Sequence, residues 1–86
     1  MHVLYVLKSR SDNKLYIGVT NDLKRRFKEH QQGASLATKS RGPWDLAYCE
    51  AYRSKLDALE RERKLKRFKN SYKHLVERIS RSLEGA

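Results

Sequence analysis

The run "HVLYVLK", residues 2–8, places apolar side chains at every position from Val3 to Leu7. A strand with one wet face alternates, so an unbroken run of this kind predicts a strand covered on both faces. "SRSDN" follows with the composition of a turn, and "KLYIGVT" reads as a second strand, so residues 2–19 predict a β-hairpin. Thr20, Asn21 and Asp22 offer N-caps and a favourable negative charge for a helix to Gln32, which Gly33 stops. Residues 33–43, "GASLATKSRGP", predict a loop with two more basic residues. "WDLAYCEAY", residues 44–52, alternates bulky with small or polar side chains and predicts a third strand. Ser54 caps a second helix to about Phe68. Asn70 or Ser71 caps a third, with Tyr72, Leu75, Val76, Ile79 and Leu83 on one stripe that reads as packing. The order is ββαβαα, without linker, repeat or low-complexity segment. The expectation is one α+β domain over residues 1–86, a small three-stranded antiparallel sheet flanked by three helices that cover both its faces.

Two helices break their own pattern. In the first, the positions three, four and seven after Leu23 belong on its apolar stripe, and they are Arg26, Phe27 and His30. Lys24, Arg25, Lys28 and Glu29 turn away at about 100° per residue. An inward arginine is costly unless it reaches a partner, a cleft or a ligand. In the second helix Ala58, Leu59 and Leu65 define the stripe, Lys66 flanks it, and Glu62 lies inside it. Glu60, rotated roughly 160° from Glu62, faces solvent. The inward arginine and glutamate fit either a structural salt bridge or a phosphate clamp with a metal ligand. On the hairpin, Tyr5 and Tyr16 sit on adjacent strands and can project toward one cleft. Gly18 weakens its strand and marks a close approach or a local bend.

Charge changes the picture more than composition does. The apolar fraction is 38%, which implies a modest core. Lys and Arg number 20 against 10 Asp and Glu, a net charge of +10. So large an excess in a small domain points to a polyanionic partner, nucleic acid first, although charge alone does not choose DNA over RNA. The one cysteine, Cys49, allows no internal disulfide and reads as a small core residue. His2, His30 and His74 have no metal-ligand spacing with it. The absence of a long apolar run predicts no membrane span and a cytoplasmic protein.

Together these residues resemble the GIY-YIG nuclease superfamily, which includes the incision module of bacterial excision repair and several homing endonucleases. "VLY" (Val3 to Tyr5) stands for the first motif, with Val3 where the name has glycine, and "YIG" (Tyr16 to Gly18) matches the second as written. Arg26, ten residues beyond Tyr16, takes the arginine place and His30 the histidine place. Glu62, within Arg61-Glu62-Arg63-Lys64-Leu65-Lys66, takes the glutamate place. The match covers nearly the whole chain and looks closest to small single-domain bacterial members known as predicted endonucleases.

The resemblance implies Mg²⁺- or Mn²⁺-dependent hydrolysis of DNA phosphodiesters, in repair or recombination. It implies that Glu62 holds the ion, that Arg26 neutralises charge on the phosphate, and that Tyr5 serves as general base or relay. In that role the nearby Arg26 and the ion favour the Tyr5 phenolate. Tyr16 is then expected to orient water or phosphate, and His30 to support Tyr5 or shuttle a proton. A monomer is expected. The alternatives are a nucleic-acid-binding module that kept the scaffold without catalysis, and a protein-interaction domain whose charge is incidental.

Overall fold

The computed structural model describes residues 1–86. Strands β1 (His2–Ser9), β2 (Leu15–Thr20) and β3 (Trp44–Tyr52) form one antiparallel sheet in the order β2-β1-β3. The most apolar segment is therefore the central strand, and Leu4, Tyr5, Val6 and Leu7 are between 0% and 1% exposed. Because a strand alternates its side chains, this run feeds two cores. Leu4 and Val6 pack with Ile17, Leu65, Leu75 and Ile79 on one face, and Tyr5 and Leu7 pack with Trp44 on the other.

Helix α1 (Leu23–Gln31) lies on the Tyr5 face through Leu23 and Phe27. Asp22 caps it by accepting from the Arg25 amide at 3.1 Å, and Gly33 ends it at φ 73°, a conformation glycine adopts without steric cost. Helix α2 (Lys55–Arg67) lies against the Leu4 face through Ala58 and Leu65, capped by Ser54. Leu59, expected on that stripe, is 39% exposed. Arg61 of α2 grips Glu50 of β3 through two N–H donors at 3.0 and 3.2 Å, and the hydroxyls of Tyr48 and Tyr52 donate to the same carboxylate at 2.7 and 2.6 Å. Burial alone pushes the Glu50 carboxyl up, but Arg61 and the two tyrosines hold it below its ordinary value. Burial and the Glu50 charge push the Tyr48 phenol up to about 12, so it stays a donor.

The third helix differs from expectation at both ends. Phe68 closes α2 and opens α3 (Lys69–Arg78) in extended conformation, so neither Asn70 nor Ser71 caps it. At Ile79 (φ −105°, ψ 22°) the helix breaks, and the chain continues as α4 (Ser80–Glu84). The break leaves Ile79 buried while Leu83 also packs on the core, and Lys8 Nζ donates to the Leu83 carbonyl at 2.8 Å. Tyr72 leaves the predicted stripe and is 38% exposed. Cys49 also departs from expectation: it is exposed, because α1 covers Tyr5 and Trp44 but not the far half of edge strand β3. No helix is long and apolar enough to cross a membrane.

Candidate active site

The hairpin register sets Tyr5 opposite Gly18 and Leu7 opposite Tyr16, so both phenols share a face. Gly18 is a place of close approach: a Cβ there would fall 2.5 Å from the Tyr5 hydroxyl and 2.7 Å from Cζ. The bare backbone of β2 lets the Tyr5 ring lie across it. The ring centroids of Tyr5 and Tyr16 are 6.3 Å apart, and His30 from α1 stands 5.6 and 5.0 Å from them.

A buried hydrogen-bonded chain runs through this cluster. The Tyr5 hydroxyl meets His30 Nε2 at 2.8 Å, and His30 Nδ1 meets Thr38 Oγ1 at 2.6 Å. All three residues are 1% exposed. Burial, reinforced by the Arg26 charge, holds His30 below its ordinary value and therefore neutral. Burial likewise raises the Tyr5 phenol, with Tyr16 adding to the rise, and the pull of Arg26 toward phenolate does not overcome it. Arg26 by itself therefore leaves Tyr5 a phenol. In the tautomer whose Nδ1–H donates to Thr38 Oγ1, Nε2 accepts from the Tyr5 hydroxyl, and Tyr5, His30 and Thr38 form one continuous donor chain. Thr38 was not among the sequence candidates. A buried imidazole needs partners at both nitrogens, but the loop after α1 offers Ser35, Thr38 and Ser40, and local pattern does not choose among them.

Arg26 and Glu62 do not form a salt bridge with each other. Arg26 is paired with Glu29 at 3.2 Å and donates to Ser35 Oγ at 3.4 Å, leaving its side chain 32% exposed. Glu29, expected to turn away, is half-buried and serves as its tether. Arg25 does face solvent, with its side chain 58% exposed. Glu62, its side chain 24% exposed, takes Lys66 Nζ at 3.1 Å on Oε2, whereas Oε1 has no hydrogen-bond partner. Lys66 also stands 5.9 Å from the Tyr16 ring centroid. Glu60 is occupied on the solvent side by Arg63 and Lys64. No group of three or more His, Cys, Asp or Glu side chains could hold a metal ion. One partly exposed carboxylate with a free oxygen fits a hard cation that keeps most of its waters, and fits no ion that requires an all-protein cage.

The family model of the GIY-YIG catalytic domain matches residues 1–75. A UPF0213 protein of Bacillus velezensis is 36% identical over 86 residues, covering 98% of this chain and 86% of its own. The UPF0213 protein YazA of Bacillus subtilis is 37% identical over 75 residues, covering 86% of this chain and 75% of its own. The solution NMR structure of a UPF0213 protein from Bacillus halodurans has a TM-score of 0.58 at 33% identity, covering 88% of this chain and 82% of that one. The family model, the relatives and the fold agree: the chain belongs to the GIY-YIG catalytic domain family, a nuclease superfamily, alongside the small UPF0213 proteins.

Proposed function

We propose that this protein is a metal-dependent endonuclease that hydrolyses DNA phosphodiester bonds in repair or recombination. The observation that carries this reading is the buried Tyr5–His30–Thr38 hydrogen-bonded chain, whose phenol feels the positive charge of Arg26. A buried histidine needs a partner at each nitrogen, and here one of those partners is a phenol, a group that can exchange a proton with the ring.

In this reading the water that attacks phosphorus loses its proton to the Tyr5 oxygen as the Tyr5 proton passes to His30 Nε2. The imidazolium so formed keeps Nδ1–H on Thr38, which holds the ring in place. Arg26 neutralises charge gathering on the phosphate, a contribution worth roughly 10²–10³ in rate at comparable electrostatic sites. Tyr16, between His30 and Lys66, orients water or phosphate. Glu62 with its free Oε1 would hold Mg²⁺ or Mn²⁺, which would polarise the scissile phosphate and stabilise the leaving oxygen.

Incubation of the purified protein with supercoiled and branched DNA, with and without Mg²⁺, tests the reading. Nicking should require the ion and disappear in Tyr5→Phe and Arg26→Ala. Binding without nicking under any divalent ion would establish instead the inactive binding module.

A further inference from the structure

Two grooves flank the site, and they differ in chemistry. The one lined by His2, Arg25, Arg26, Glu29 and Lys55 is polar, and the His2 imidazole is its one aromatic ring. The other, about 680 Å³, runs along the outer edge of β2 against the α2–α3 corner. Its lining includes Tyr16, Leu65 and Tyr72 together with Lys66, Arg67 and Lys69. Tyr16 and Lys66 belong to the active-site cluster as well, so this groove opens onto it. Arg67 and Lys69 have no carboxylate partner, and Arg67 is laid over the exposed Phe68 ring at 5.7 Å. An exposed phenol where the helix pattern called for an inward one, bordered by unpaired cations, needs an explanation that packing does not supply.

We propose that this groove is a stacking subsite for single-stranded DNA adjoining the scissile phosphate, with a base lying on Tyr72 and phosphates on Arg67 and Lys69. The proposal rests on the nuclease reading for its position beside the catalytic residues. A duplex keeps its base faces inside the stack and presents phosphates and base edges, for which an aromatic, largely apolar groove has no use. An unpaired strand presents both things the groove can bind: π faces and phosphates. The charge of +10 argues against a second copy of this basic chain as the occupant, and the cations beside Tyr72 favour an anionic one.

Fluorescence anisotropy in the presence of a chelator tests this with a labelled oligothymidylate of about 12 nucleotides and a blunt duplex of the same length. Tyr72→Ala should weaken oligothymidylate binding about tenfold or more and change duplex binding by less than about twofold, while Tyr72→Phe should keep the parent affinity because the stacking face remains. Arg67→Gln combined with Lys69→Gln should reduce the salt slope for the oligothymidylate by about 1.4, two contacts at roughly 0.7 each. Equal losses on both ligands in Tyr72→Ala, or no loss on the single strand, would overturn the proposal. Nicking assays separate the two ideas. Mg²⁺-dependent nicking with no Tyr72 effect on single-strand binding defeats the subsite alone. Tyr72-dependent single-strand binding without nicking leaves the subsite standing and defeats the nuclease reading.

Discussion

His30 shows how one residue couples the site to stability. Burial, then the Arg26 charge, lowers its pKa below the usual 6.5. As pH falls through that value the unfolded chain takes up a proton at His30 and the folded chain does not, so the unfolded state is favoured. Wild-type melting temperature should therefore fall with pH between neutrality and the onset of carboxylate titration. His30→Gln should be flatter over the same interval, which thermal melts at a series of pH values will check. The two glutamates of α2 offer a second contrast. Glu62 has a free oxygen beside the cluster, whereas Glu60 is spent on surface ion pairs of little worth. Glu62→Gln should keep its melting temperature to within about 1 kcal/mol of stability, bind DNA as well or better, and lose Mg²⁺-dependent nicking. Glu60→Gln should behave as wild type in all three assays, and a nicking Glu62→Gln protein would end the ligand assignment. Both inward glutamate and inward arginine were legible from helical spacing. Their partners were not, because Glu29, Ser35 and Lys66 are chosen by side-chain reach in three dimensions.

At the scale of elements, α2 and Glu62 with it are held to the sheet by the packing of Ala58 and Leu65 and by the grip of Arg61 on Glu50 of β3. Removing Arg61 leaves Glu50, its side chain 16% exposed, with only the two tyrosine donors. Arg61→Ala should cost about 1–3 kcal/mol in denaturant melts, short of the figure for a fully buried pair because Arg61 is itself 28% exposed. Nicking should fall further than the folded fraction does, as α2 gains freedom relative to the sheet. Strand and helix order, and the caps at Asp22 and Ser54, followed from local pattern. The corner at Phe68 and the break at Ile79 did not. They exist because α3 and α4 must bend to keep Leu75, Ile79 and Leu83 on one curved core, and that demand comes from the sheet beneath them.

The whole molecule carries +10, and much of that charge is not neutralised at its surface, as Lys14, Lys55, Arg67, Lys69 and Arg78 stand outside every ion pair. Phosphate contacts release counterions, so DNA affinity should fall linearly on a log–log plot against salt, with little dependence on base sequence. Titrations at several ionic strengths will check this, and an affinity unchanged between low and physiological salt would contradict it. Composition sets that property directly, because total charge does not depend on how the chain folds. The sequence by itself likewise determined the antiparallel hairpin, a first strand covered on both faces and the inward faces that carry Arg26, His30 and Glu62, since each depends on residues within a few positions of one another. The tertiary structure alone decided that Gly18 yields its space to the Tyr5 ring and that Thr38 completes the histidine's hydrogen bonds. It also decided that Cys49 and Tyr72 face solvent and that Glu62 answers to Lys66 rather than Arg26. Those outcomes turn on which distant surfaces meet and which are left uncovered, and no period of two or 3.6 residues encodes them.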